Sequence, residues 1–177
     1  YPEQRTVALA GTLQDAPALE QWTGKERMEH RFVEQFIEEI IATRAFRKEG
    51  PRPVKAGPVY HLKSNYSIPI LDLAVNPFDL HPGPALSGYP VDTAVETIQR
   101  IEGSPRRYYT GFLGPVWNQK KSRLFINLRC LEVLSQHSIL YAGGGLTIDS
   151  IIQNEWLEIQ DKLSTLRSKI HKGQQKI

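Results

Sequence analysis

The sequence has few cysteines, no long apolar segment and little net charge, and each shortage excludes a class of protein. Cys130 is the single cysteine among 177 residues, so no disulfide forms within the chain, which is typical of a reducing, cytoplasmic compartment. No apolar run reaches the roughly 18 residues of a membrane-spanning helix, so we expect no membrane partner. The net charge is +3 and basic residues do not alternate with aromatic ones, so no nucleic-acid partner is expected either.

The residues that are present predict helices at three places. Sequences of the form S/T-x-x-E/Q, which favour helix starts, occur at Thr23–Glu26, Thr93–Glu96 and Ser150–Gln153. The first helix is expected to run to about Arg47, and the prolines and glycines of 48–58 are expected to form irregular chain. The last helix carries an apolar stripe that we expect to be buried: Ile152, Trp156, Ile159, Leu163 and Leu166.

Alternation of apolar and polar residues predicts strands between these helices. The expected strands cover 6–12, 108–117, 123–130 and 137–142, with one or two strands over 59–71, where Pro69 interrupts the pattern, and an irregular loop over 76–90. Helices and strands in this order indicate an α+β protein in which an antiparallel sheet packs with helices.

Two pairs of glutamates are spaced for a shared helix face. Glu26 and Glu29 are three residues apart at one predicted helix start, and Glu155 and Glu158 are three apart at another. Four carboxylates converging from two helices would suit Mg²⁺, which prefers oxygen ligands. Glutamates also favour helix N-termini because they complement the helix dipole, so the residues alone leave both interpretations open.

The glycines and cations are individually ambiguous. Gly143–Gly145 precede a helix and could present N–H groups to an anion, or form a simple turn. Arg129 could bind a carboxylate through two hydrogen bonds, or face solvent from a strand. Tyr109, His61 and Lys162 carry no signal singly.

Eight blocks along the chain, taken together, resemble a known family. They are ALAGT (8–12), KERMEH (25–30), YHLKS (60–64), HPGPALSGYP (81–90), YYTG (108–111), NLRC (127–130), YAGGG (141–145) and NEWLEIQDKLSTL (154–166). In this order they closely resemble the C-terminal half of the chorismate-utilising enzymes, which include anthranilate, aminodeoxychorismate, salicylate and isochorismate synthases. The resemblance implies the C-terminal half of the anthranilate synthase component I-like, chorismate-binding fold.

The resemblance also implies a magnesium site. Glu29 and Glu158 match the direct Mg²⁺ ligands of the family, and Glu26 and Glu155 match the residues that hold the metal's waters. The metal would hold the ring carboxylate of chorismate.

Further matching positions imply a substrate site. Arg129 and Tyr109 match the residues that bind the enolpyruvyl carboxylate, helped by the backbone at Gly143. Three more positions match a histidine near the ring carboxylate, a lysine near the metal-bound end and a threonine lining the site: His61, Lys162 and Thr12.

The block HPGPALSGYP favours the isochorismate synthases within this family. Ala85 stands where anthranilate synthases and pyruvate-eliminating members typically carry threonine, and its methyl group leaves room for water to attack the ring. We therefore expect conversion of chorismate to isochorismate for menaquinone or siderophore biosynthesis, with the sister activities as alternatives.

The family's general base, a lysine, and general acid, a glutamate, have no match here, so no catalytic residue is assigned and both are expected upstream of residue 1. We therefore expect 1–177 to be the C-terminal part of a single chorismate-binding domain. Such a fragment would be nearly inactive alone, or act as a non-catalytic ligand-binding module. An exposed apolar face would favour self-association.

Overall fold

A computed structural model describes residues 3–57, 59–70, 74–118 and 121–174. The chain divides into two compact units, Tyr1–Ile101 and Glu102–Ile177. The prediction of one domain therefore stays a prediction, and each unit is described by itself.

Unit 1 is a three-stranded antiparallel sheet covered by one long helix. The strands are β1 (Glu3–Gln14), β2 (Arg47–Ala56) and β3 (Val59–Pro69), in the order β1-β3-β2. The long helix is α1 (Gly24–Ile41), preceded by a short 3₁₀ turn (Leu19–Gln21). A second helix, α2 (Val91–Ile101), follows the irregular loop over 76–90, as predicted.

The core of unit 1 lies between α1 and the sheet. Alternate residues of β3 are buried, which leaves the other half of the strand on the opposite face. The apolar ridge of α1 packs on this buried face, and each large aliphatic side chain removed from water contributes roughly 1.5–3 kcal/mol. The cluster consists of Ala8, Val33, Ile37, Ile41, Tyr66, Ile68 and Val75.

The segment after α1 corrects two predictions. The helix ends at Ile41 rather than near Arg47, and 47–56 forms strand β2 rather than irregular chain. Proline is tolerated in β2 because the strand lies at the sheet edge, where a missing N–H breaks no ladder. Gly50 has φ +118° at a register shift, and a Cβ there would lie 2.6 Å from the Lys63 carbonyl oxygen.

The three helix-start sequences lie near real starts, but none of their side chains caps as predicted. Thr23 is the N-cap of α1, yet its hydroxyl donates to the Glu26 carboxylate at 2.6 Å. Thr93 lies inside α2, where its carbonyl accepts from Thr97. Ser150 lies two residues before α3 (Ile152–Gln174), outside the helix.

Unit 2 contains short ladders instead of the three long strands that the alternation predicts. The paired strands are β4 (Phe112–Leu113) with β7 (Phe125–Ile126), β5 (Val116–Asn118) with β6 (Lys121–Ser122), and β8 (Cys130–Val133) with β9 (Ser138–Tyr141). Positive φ angles at Thr110 and Arg129 interrupt extended chain. A Cβ at Gly114 would overlap the Arg123 carbonyl, so this crossing requires glycine.

Helix α3 corrects the predicted burial of its apolar stripe in its first turns, whereas Ile159, Leu163 and Leu166 are half-buried. Ile152 and Trp156 are 79% and 60% exposed, whereas Glu155 beside them is only 6% exposed.

Across the described ranges, no helix combines the length and apolarity needed to cross a membrane.

Candidate active site

In unit 1 the structure joins Thr12 and His61 across neighbouring strands. The two residues are register partners of β1 and β3, beside a bulge at Gly11 with φ +72°. Thr12 Oγ1 lies 3.1 Å from His61 Nδ1, and the Gly11 carbonyl oxygen lies 3.0 Å from the same nitrogen. Because a carbonyl only accepts, this hydrogen bond places a proton on Nδ1. The bulge therefore fixes the orientation of the imidazole ring.

The same bulge brings β1 against the first turn of α1. A Cβ at Gly11 would lie 2.8 Å from the Glu26 carbonyl oxygen and 3.3 Å from Glu26 Cβ. Only glycine permits both this approach and the positive φ. Thr12, His61 and Glu26 are thus neighbours, and Glu29 lies one turn further on, with its carboxylate 4.0 Å from Lys25 Nζ. Ala85 lies in the irregular loop with its side chain exposed, and none of these contacts includes it.

In unit 2 two predicted substrate residues, Tyr109 and Lys162, meet at a third, Gly143. Lys162 Nζ donates to the Gly143 carbonyl at 2.9 Å and lies 2.6 Å from Glu158 Oε1. A Cβ at residue 143 would lie 2.7 Å from the Tyr109 hydroxyl oxygen, so the phenol reaches this backbone only because the residue is glycine. The predicted residues Tyr109, Gly143, Glu158 and Lys162 are therefore brought together by direct contacts.

Glu155 is buried and hydrogen-bonded at the start of α3. Ser150 Oγ donates to Glu155 Oε1 at 2.6 Å, and the Thr147 N–H donates to Ser150 Oγ at 3.0 Å. A buried carboxylate is costly unless hydrogen bonds satisfy it, and Ser150 supplies one of them. Sequence reasoning missed this role because it assigned Ser150 to capping; the signal was the serine five residues before a predicted metal-site glutamate.

Tyr109 and Arg129 differ in how they are held. Burial raises the pKa of the Tyr109 phenol above its usual value, although nearby Arg106 opposes this, so the hydroxyl stays a hydrogen-bond donor at neutral pH. Arg129 precedes β8 with φ +49°, which corrects its predicted place within a strand. Within the described part of unit 2, no hydrogen bond or ion pair holds its guanidinium.

The carboxylate pairs suit a hard divalent cation in their chemistry. Both pairs offer only oxygen donors at i, i+3 spacing, which matches the preference of Mg²⁺. Within the described residues of each unit, no group of three or more His, Cys, Asp or Glu side chains is arranged to hold a metal ion. Each unit therefore holds a pair of candidate ligands, and the residues fit Mg²⁺ better than a metal that prefers thiolates.

The chain matches a known protein family over almost its whole length. Residues 5–171 match the family model described as "Chorismate binding enzyme". The chain belongs to the chorismate-binding enzyme family. The family assignment confirms the predicted resemblance, since the match covers all eight blocks.

Several similar members of the family are isochorismate synthases. The chain is 30% identical over 151 residues to isochorismate synthase EntC of Escherichia coli (strain K12), covering 80% of this chain and 38% of EntC. It is 31% identical over 153 residues to isochorismate synthase DhbC of Bacillus subtilis (strain 168), covering 81% and 38%. The chain thus spans about two fifths of the length of these relatives.

The fold agrees with a solved structure of the family. The menaquinone-specific isochorismate synthase MenF of Escherichia coli superimposes with a TM-score of 0.81 at 25% identity, over 94% of this chain and 42% of MenF. The predicted α+β, chorismate-binding fold is confirmed.

Proposed function

We propose that this chain supplies chorismate- and Mg²⁺-binding residues of an isochorismate synthase, which converts chorismate to isochorismate. The observation that carries the proposal is the cluster at Gly143, where Tyr109 and Lys162 both contact one glycine and Lys162 contacts Glu158. Similarity to EntC and DhbC supports this activity over the sister activities.

Chorismate is a dianion, so its site needs two cationic anchors, which we propose to be Arg129 and Mg²⁺. Arg129 is the first, because its guanidinium is uncommitted within the described residues of unit 2 and suits bidentate binding of a carboxylate. The Tyr109 hydroxyl adds a neutral donor, and Gly143 lets it approach the backbone. These groups would bind the enolpyruvyl carboxylate, while His61, with its ring fixed by Gly11 and Thr12, would lie near the ring carboxylate.

Glu29 and Glu158 are the proposed direct ligands of Mg²⁺, and Glu26 and Glu155 the proposed holders of its waters. When bound, the metal would neutralise the ring carboxylate and stabilise charge that shifts into the ring. Lys162 balances part of the negative charge of the glutamates, since its ammonium pairs with Glu158. Ser150 holds Glu155 in its buried position.

In the proposed reaction, a base removes a proton from water, which attacks one ring carbon, while an acid protonates the hydroxyl that leaves another. The side chain of Ala85 would leave space for that water, and we propose that Ala85→Thr shifts products toward pyruvate loss. The product would feed menaquinone or siderophore biosynthesis.

A second candidate function is a binding module without turnover. It is favoured by the coverage, since the chain matches about two fifths of its relatives and none of its residues is assigned as the acid or the base. In this case chorismate and Mg²⁺ bind, but isochorismate does not form.

The decisive experiment measures binding and turnover in the same samples. Calorimetry of the chain with chorismate, with and without Mg²⁺, is compared for the wild type, Glu158→Ala and Glu96→Ala. Glu96 is the matched control, an exposed helix glutamate in α2. We expect Mg²⁺-dependent binding that Glu158→Ala removes and Glu96→Ala retains; a folded chain that gives no heat contradicts both candidates.

Product analysis then separates the activities. Mass spectrometry and NMR after incubation with chorismate and Mg²⁺ show isochorismate if the chain is an active synthase. Binding without product supports the module. Salicylate with pyruvate, or anthranilate when ammonia is supplied, contradicts the isochorismate assignment in favour of a sister activity.

We also propose that copies of the chain associate through exposed apolar side chains of unit 2. Ile148 is fully exposed, and Ile152, Trp156 and Leu157 are each at least 60% exposed. Light scattering over a concentration series is expected to show association that Trp156→Gln weakens; a monomer at all concentrations contradicts it.

A further inference from the structure

The backbone around Tyr109 does not by itself fix the direction of its ring. Tyr109 lies in a turn over 107–110, outside every described strand, with φ +52° at Arg107 and +65° at Thr110 on either side. A tyrosine side chain keeps two rotatable torsions, and a site residue must be held near its productive geometry. Neighbouring side chains must therefore provide the orientation.

Tyr141 is the neighbour that stacks on this ring. The two ring centroids are 5.7 Å apart with an interplanar angle of 23°, a favourable offset geometry. Tyr141 is the last residue of β9 and pairs with Cys130 of β8, so its backbone is held by a ladder. The backbone of Tyr141 is therefore paired in a ladder, whereas Tyr109 lies in a turn.

Glu132 fixes the Tyr141 ring in turn. The Tyr141 hydroxyl donates to Glu132 Oε2 at 2.8 Å, and this hydrogen bond raises the pKa of Tyr141, which keeps the phenol protonated as a donor. The other oxygen, Glu132 Oε1, accepts from Arg107 in an ion pair. Arg107 is two residues before Tyr109, so the contacts form a closed loop that begins and ends in the same turn.

We propose that Glu132 and Tyr141 are positioning residues that orient the Tyr109 hydroxyl against Gly143. The inference rests on the proposed function, because it gives the orientation a purpose: a phenol aimed at the carboxylate of chorismate. A second contact supports the ring, since the Arg106 guanidinium lies 6.0 Å from its centroid and Glu102 holds Arg106 through hydrogen bonds of 2.8 and 2.6 Å.

The test combines NMR of the ring with binding of chorismate. Tyrosines are labelled with ¹³C, and the Tyr109 signal is identified by its loss in Tyr109→Phe. Tyr141→Phe keeps the stacked ring but removes the hydroxyl, and Glu132→Gln keeps an acceptor but weakens the pair with Arg107. Tyr89→Phe is the matched control, because Tyr89 also stacks on an aromatic ring, Phe32, and donates to a glutamate, Glu39, within unit 1.

We expect Tyr141→Phe and Glu132→Gln to shift the Tyr109 signal, and Tyr89→Phe to leave it unchanged. Calorimetry with chorismate and Mg²⁺ is expected to show about tenfold weaker binding for Tyr109→Phe and about threefold weaker binding for each positioning variant. In a Tyr109→Phe background the positioning changes should add almost no further loss, because they act through that hydroxyl. A purely structural role would lower stability without this coupling.

The outcomes separate the two proposals. An unmoved Tyr109 signal, or fully additive losses in the double variants, overturns the positioning role. If the signal moves but the wild type binds no chorismate, the proposed function fails while the positioning of Tyr109 stands. Circular dichroism confirms in each case that the variant is folded.

Discussion

The two units of the chain differ in the polarity of their buried side chains. In unit 1 the buried side chains are mostly apolar: one cluster, which includes Ala8 and Val75, lies under α1, and a second consists of Ala16, Trp22 and Leu62. In unit 2 the one buried side chain among the described residues is the carboxylate of Glu155, while nearby Trp156 is 60% exposed. Burial of apolar side chains stabilises a fold. Burial of a carboxylate costs free energy unless hydrogen bonds or an opposite charge compensate for its lost hydration.

The difference shows that most of the packed core lies in unit 1, whereas the candidate site residues lie in both units. A long helix on a three-stranded sheet supplies the packed core of unit 1. Unit 2 has ladders of two to four residues, and its close contacts gather around Gly143 and Glu155 instead. Sites that bind charged ligands often reduce stability, so the proposed function would account for the small core of unit 2.

The largest expected effect comes from removing an apolar group in the core of unit 1. Ile41 is fully buried, and Ile41→Ala should lower the free energy of unfolding by about 3 kcal/mol because it leaves a cavity. At concentrations below those at which copies associate, Trp156→Ala in unit 2 should change it by less than about 0.5 kcal/mol, since that side chain is exposed in the single chain. Urea unfolding followed by circular dichroism makes the comparison, and equal losses would contradict the proposed difference between the units.

A smaller loss of stability is expected from breaking the group of charged side chains beside the core of unit 1. Lys48 Nζ lies 3.0 Å from Glu34 Oε2 and 2.9 Å from Glu38 Oε1, and Tyr66 also donates to Glu38. Lys48→Met should cost about 1–2 kcal/mol, because it leaves two carboxylates without their ammonium partner. Lys55→Met on the same strand, where the side chain is exposed, is the control; a similar loss in both variants would argue against the network.

The buried carboxylate of unit 2 is expected to behave differently. Glu155→Leu should leave the free energy of unfolding unchanged or raise it by up to about 1 kcal/mol, because an apolar group replaces a buried charge. Mg²⁺-dependent binding of chorismate should be lost. Thermal unfolding and calorimetry on the same samples test both parts, and a strongly destabilised Glu155→Leu chain would show that the carboxylate is structural.

The smallest effect concerns pH. Burial lowers the pKa of Lys48, but hydrogen bonds to Glu38 and Glu34 raise it more, so the net value lies above the ordinary 10.5. A raised folded-state pKa contributes stability that is complete below pH 10.5 and is lost as pH rises through the folded value. The stability difference between wild type and Lys48→Met should therefore shrink in alkaline urea titrations; a constant difference would contradict the assignment.

Much of the outline could be predicted from local sequence. The three helix-start sequences lie within two residues of real helix starts, because Ser, Thr and Glu favour those positions even when the side chain bonds elsewhere. One or two strands were predicted over 59–71, and the structure has one, β3 (Val59–Pro69), in which alternate residues from Leu62 to Ile68 are buried. Residue 71 lies outside the described residues. The eight blocks were sufficient to identify the family.

The sequence by itself therefore determined the family and the α+β class, and it predicted the candidate site residues. Tertiary structure alone decided that the proline-containing segment 47–56 forms a strand, because only a position at the sheet edge tolerates the missing N–H groups. It also decided that Glu155 is buried while Trp156 is exposed, and that Tyr109 reaches Gly143. These features depend on partners distant along the chain, and local periodicity carries no information about which residues those partners are.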